Sequence, residues 1–186
     1  MIIPGWLISL LTFPGVIVHE ASHMLFCRLR GIAVLDVCFF RIGNPAGYVV
    51  HEPIAGFGSA FLVAVGPLFI NSLLCMLFCF PALVPVRIFN REDPLCFFLI
   101  WLGISIGMHA FPSNQDAWGL WEHAKVAARQ LNPLAILSFP LVLLICAANL
   151  LSFFWFDAIY GFAIGLGLPE LLFSRFIVSL LPLHGR

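Results

Sequence analysis

The chain has 186 residues, of which 62% are hydrophobic and 10% charged, and its nine Lys and Arg balance nine Asp and Glu. Too little polar material is present to cover a water-soluble domain of this size. Zero net charge without a basic cluster excludes electrostatic nucleic-acid binding. The six cysteines (Cys27, Cys38, Cys75, Cys79, Cys96 and Cys146) show no CxxC spacing and sit mostly in apolar stretches, so they read as small buried residues.

The amino-terminal stretch MIIPGWLISLLTFPGVIVHE has neither the basic region nor the small-residue cleavage site of a signal peptide. It is expected to stay as a first span, Ile2 to Phe26, with Pro14-Gly15 kinking it. Further spans are expected at Ile54 to Phe80, Pro94 to Phe111, Leu134 to Phe156 and Ala158 to Leu181, since a helix needs roughly 20 apolar residues to cross a bilayer. After the first span, IAVLDVCFFRIGNPAGYVVHEP alternates aliphatic and polar residues around turn signals at Arg41 to Gly47. That pattern predicts a small β-hairpin at the membrane surface or re-entrant within it.

Asp116 to Leu131 places Trp118 and Trp121 beside Glu122, Lys125 and Arg129, which predicts a helix lying along the membrane interface. Gly103/Gly107 and Gly161/Gly165 have the GxxxG spacing of helix packing inside a bundle. The fold expected is thus an all-α integral membrane bundle of about five transmembrane helices with one small hairpin, a single domain in the lipid bilayer. Arg28, Arg30 and Arg41 follow the first span and none precedes it, which puts its end in the cytoplasm. Threading onward puts Lys125, Arg129 and Arg186 on the same side, with Arg87 and Arg91 outside.

The first span contains His19-Glu20-Ala21-Ser22-His23, an HExxH motif. On a helix its imidazoles are offset by only about 40° and face the same way. Two such nitrogens can bind one zinc ion, and the intervening glutamate can take a proton from water activated there, which is the chemistry of metal-assisted amide hydrolysis. Glu20 also sits where an unpaired ionisable group costs roughly 2.5 kcal/mol or more. A polar seam hydrogen-bonding neighbouring helices is the alternative for the three side chains.

A catalytic zinc takes a third protein ligand. Phe26 and Leu29 stand where the extended HExxHxxGxxH form has Gly and His. The candidates are Glu52, Glu122, His109 and Asp116, of which topology favours Asp116: it follows the third span on the cytoplasmic side, and His19 lies only about 14 Å along the helix from Arg28. An N-cap role is the alternative for Asp116, and His51 reads as a surface histidine.

With HExxH in the first span, GPLFIN (Gly66 to Asn71) in the second and PSNQDAW after the third, the first two-thirds of the chain resembles the site-2 protease family of intramembrane zinc metalloproteases. The resemblance implies His19, His23 and Asp116 as zinc ligands and Glu20 as general base. The substrate it implies is a membrane protein or peptide cut within or near the bilayer. Two departures mark a divergent branch: Asn114-Gln115-Asp116-Ala117 lacks the family's glycine, and Asn71 is one residue further from Gly66-Pro67 than usual. Asn71 and Asn114 are expected either to orient substrate or the oxyanion, or to serve as a helix-packing residue and a turn residue. The hairpin segment Val34 to Phe40 offers an edge to an extended substrate. The rival reading is a non-catalytic metal-binding membrane protein, a transporter or a regulatory relative that binds a partner. A transporter needs polar residues along several spans, and the fourth has only Ser138, Asn149 and Ser152.

Overall fold

The computed structural model describes residues 5–90 and 93–173. The first apolar stretch forms two helices, α1 (Gly5–Leu11) and α2 (Phe13–Leu29), bent by 88° at Thr12. The single first span expected from hydropathy is therefore broken. Proline explains the position of the break: Pro14 occupies the first turn of α2, where it has no N–H to carry the ladder across from α1 and restricts the residue before it. The Thr12 hydroxyl donates instead to the Ile8 carbonyl at 2.7 Å.

The hairpin forms as expected. Strands β1 (Val34–Cys38) and β2 (Tyr48–His51) pair antiparallel, with an irregularity between Val34 and Asp36. The Tyr48 hydroxyl donates to Asp36 at 3.0 Å, and Arg41 closes the turn by donating to the Pro45 carbonyl at 2.9 Å while its guanidinium lies 5.1 Å from the Tyr48 ring centroid.

Next come α3 (Phe57–Ile88), α4 (Pro94–Met108), α5 (Asn114–Arg129) and α6 (Pro133–Leu151). After a short turn at Ser152–Phe154 the chain continues through α7 (Phe156–Phe162), a π-helical segment (Ala163–Gly167) and α8 (Leu168–Leu172). The described chain is mostly helical with one small two-stranded sheet. Among the described residues α3 and α6 are long and apolar enough to cross a membrane, and α1 with α2 make a third candidate if the bent pair counts as one span. Of the other two expected spans, helix α4 falls short, with 15 residues, about 22 Å. The segment expected from Ala158 is helical through α7, the π-helical turn and α8, and its positions 174–181 lie outside the described residues.

Two cores hold the bundle. In one, Cys75 and Cys79 of α3 project into the glycine seam: a β-carbon at Gly103 would lie 2.4 Å from Cys79 Sγ, and one at Gly107 would lie 2.8 Å from Cys75 Sγ. Gly161 and Gly165 pack into the same seam, so both GxxxG pairs serve contacts within the chain. In the other, Ala117, Leu120, Ala124 and Ala127 bury one stripe of α5 against α3 and α6, with Val65, Val142 and Ile145. Helix α5 is amphipathic as the sequence predicts, with Trp118 and Glu122 facing outward.

The tightest approach is between α2 and α4. A β-carbon at Gly15 would stand 2.0 Å from the Ser105 carbonyl oxygen, and backbone cannot yield as a side-chain tip can. Gly15→Ala is expected to lower thermal stability by about 1–3 kcal/mol. Gly119→Ala, in a helix with nothing within 4 Å, is expected to be neutral or to stabilise by up to about 1 kcal/mol. Thermal unfolding in detergent checks the pair, and equal shifts would refute the packing account.

Candidate metal centre

Helix α2 points His19 and His23 the same way, and both are buried. Each ring is fixed from behind by a backbone carbonyl, which can only accept: His19 Nδ1–H donates to the His109 carbonyl at 2.7 Å, and His23 Nδ1–H to the Val63 carbonyl at 2.9 Å. With the proton on Nδ1, a neutral imidazole presents only a lone pair at Nε2. Those two Nε2 atoms stand 3.0 Å apart.

Asp116 completes the group. Its Oδ2 lies 3.3 Å from His23 Nε2, and ligand atoms from His19, His23 and Asp116 all fall within 4.8 Å of one another. Zinc–nitrogen and zinc–oxygen bonds of about 2.0–2.1 Å in a tetrahedron put neighbouring ligand atoms roughly 3.3 Å apart. The observed 3.0 and 3.3 Å fit that edge. With both rings neutral, two lone pairs and a carboxylate oxygen converging on one point repel one another; a proton on His23 Nε2, which then faces Asp116 as an ion pair, relieves this, and so does a divalent cation. The donor set therefore suits zinc.

The N-cap role weighed for Asp116 falls to Ser113 instead, and Asp116 stands at the third helical position of the same cap. The Ser113 hydroxyl donates to Oδ2 at 2.6 Å and the Ser113 N–H at 3.0 Å, while the Asp116 N–H donates to the Ser113 hydroxyl at 3.2 Å, a capping box that opens α5. The cap fixes the carboxylate beside His23. Burial pushes the Asp116 carboxyl up, but the neighbouring His23 and the Ser113 hydroxyl outweigh it and hold the group well below the usual carboxylate range. It stays ionised and available as a ligand.

A cavity of about 990 Å³ opens on the group, and Glu20 lines it with His19, His23 and Asp116. The hairpin reaches the same place: a β-carbon at Gly47 would stand 2.7 Å from Glu20 Cγ and 3.1 Å from its Oε1. Of the two strands, β2 lines the cavity, whereas no residue from Val34 to Phe40 does. The part of the hairpin at the cavity is therefore the turn and the strand that follows it, away from the Val34 to Phe40 segment expected to offer an edge. Asn114 lines the cavity as the first residue of α5. Asn71 does not: it is 0% exposed, and its Nδ2 donates to the His109 carbonyl at 2.9 Å and the Ile106 carbonyl at 3.1 Å. It sits in the helix-packing position that was the alternative to an oxyanion role.

His109, the second choice as a ligand, turns its ring away. Its Nε2 is 2.8 Å from the Thr12 hydroxyl oxygen, whose own proton goes to Ile8, so the ring donates there and only its carbonyl serves the centre. Glu122 is not among the lining residues, and Glu52 offers its carbonyl to His51 Nδ1 at 2.8 Å. Sequence reading missed His123, Asp157 and Gly47 as lining residues, and His51, read as a surface histidine, also lines the cavity. The Ser113 cap was visible as an S-x-x-D pattern; the carbonyls of Val63 and His109 left no mark a residue type carries.

Metal analysis of detergent-purified protein checks the ligand set. His19→Ala, His23→Ala and Asp116→Ala are each expected to lose most of a near-stoichiometric zinc content, whereas Glu122→Ala is expected to keep it. No family model, curated protein or solved structure matches this chain, so the reading of the centre rests on its own geometry and chemistry.

Proposed function

We propose that the protein is a zinc-dependent intramembrane endopeptidase that hydrolyses peptide bonds of membrane-embedded or membrane-proximal substrates. The observation that carries this reading is the convergence of ligand atoms from His19, His23 and Asp116 within 4.8 Å of one another, with His23 Nε2 3.0 Å from His19 Nε2 and 3.3 Å from Asp116, and Glu20 on the wall of the same cavity. The apolar lengths of α3 and α6 support a membrane setting. The arginines after α2 support a cytoplasmic-facing site.

In this reading His19, His23 and Asp116 hold the metal. Zinc bound there supplies Lewis acidity, lowering the pKa of water and polarising a peptide carbonyl. Glu20 takes a proton from the attacking water and passes it to the leaving amine as the C–N bond breaks. The aliphatic wall of the cavity, from Val16, Val63 and Ala64, limits competing water and strengthens each charge interaction inside. The free edge of a two-stranded sheet beside Glu20 suits an extended segment, because a helical substrate must unwind before its carbonyl is reachable.

Turnover of quenched peptides copied from single-span helices, in detergent or proteoliposomes, tests the reading. Glu20→Gln is expected to retain zinc and lose about 10²–10⁴-fold in rate. Zinc-replete wild type that cleaves none of them, or Glu20→Gln that cleaves as well as wild type, would favour the non-catalytic metal-binding alternative. Gly47→Val, which forces the hairpin off Glu20, is expected to lower the rate with zinc content unchanged.

A further inference from the structure

The two carbonyls that hold the histidines are without a helical N–H partner, Val63 inside α3 because of a proline and His109 because it caps the end of α4. Inside α3 the Val63 carbonyl would accept from the N–H four residues on, but that residue is Pro67, which has none. The carbonyl is left for His23 Nδ1, at 2.9 Å. At the end of α4 the His109 carbonyl meets Pro112 three residues on, again without an N–H, and the Ser113 N–H four residues on is taken by Asp116. That carbonyl is left for His19 Nδ1, at 2.7 Å.

Asn71 acts on the same carbonyl. Its Nδ2 faces three carbonyls, His109 at 2.9 Å, Ile106 at 3.1 Å and Gly15 of α2 at 3.5 Å, so the amide cannot be flipped without setting an oxygen against carbonyl oxygens. Neither the Ile106 nor the His109 carbonyl needs Asn71 for satisfaction, because Ile106 already accepts from the His109 N–H at 3.1 Å and His109 accepts from His19. Its Oδ1, meanwhile, is buried without a hydrogen-bond partner among the described residues, an unfavourable arrangement. What the amide does is fix the place of the His109 carbonyl.

We infer that Pro67 and Asn71 are positioning residues of the metal centre: one frees the carbonyl that orients His23, and the other clamps the carbonyl that orients His19. The GPLFIN segment thereby sets the tautomer and direction of both imidazoles without touching the metal or the cavity, while its Gly66 admits the Phe26 ring, which would stand 2.1 Å from a β-carbon there. This inference rests on the metal-site reading and says nothing of which substrate is cut.

The test is zinc affinity by chelator competition, with the visible spectrum of the cobalt-substituted protein and the thermal stability of the metal-free protein measured alongside. Pro67→Ala returns an N–H to α3 that competes for the Val63 carbonyl. It is expected to weaken zinc binding about 10–100-fold while metal-free stability is unchanged or higher, opposite to what loss of a merely structural residue does. Asn71→Asp, of the same shape but without the amide donors, is expected to weaken zinc similarly and to alter the cobalt spectrum; Asn71→Ser, keeping one donor, should fall between. Pro81→Ala, in the same helix, and Ser72→Ala, which removes a 2.7 Å contact with Tyr160, are expected to leave affinity within twofold. Pro67 and Asn71 variants that bind zinc as tightly as wild type would overturn the inference and leave the centre standing. Wild type that takes up no zinc would overturn the centre and the inference together.

Discussion

An imidazole that gives its Nδ1 proton to a carbonyl has only a lone pair to offer at its other nitrogen. In this chain two such rings are held 3.0 Å apart, nitrogen to nitrogen, with a carboxylate oxygen at 3.3 Å. Left to themselves the rings would rotate apart or share a proton. They keep their places because the constraint comes from backbone on two other helices, and the architecture around α2 can be understood as the means of bringing that backbone close enough.

Close approach is a matter of missing atoms. Gly15 lets α4 lie against α2 and brings the His109 carbonyl over His19; Gly66 lets Phe26 sink into α3 and brings the Val63 carbonyl to His23. Pro14 ends the first helical piece so that α2 can start at its own angle, and Ser113 starts α5 with the Asp116 carboxylate aimed at the centre. Glycine, proline and capping residues usually disturb regular structure. Here they are spaced so that each disturbance falls within a few residues of a ligand.

The HExxH motif and the helical spacing of its histidines were legible in the sequence because both depend on local geometry alone. Asp116 was legible through hydropathy and topology, and the hairpin through its turn residues. The role of Asn71 was open because a buried amide can serve a cavity or a helix contact, and only the identity of its partners decides. Helix continuity was over-read at the first span: an apolar run reports what tolerates burial, but the break at Thr12 leaves hydropathy almost unchanged. Which strand of the hairpin lies beside Glu20 was not legible, since alternation fixes which residues share a face but not which edge meets the rest of the chain.

The unequal lengths of the helices have a consequence for the surrounding lipid. Helix α3, with 32 residues, extends about 48 Å, whereas α2 and α4, with 17 and 15, extend about 26 and 22 Å, short of a hydrocarbon layer of about 30 Å. Set in a bilayer, helices of such unequal length would be mismatched: the long helix would tilt, and the bilayer beside α2 and α4 would thin to meet the short ones. Headgroups and their hydration would be drawn down there. A reaction that consumes water would then sit under the thinnest part of the barrier, on the side where α1 has already turned aside.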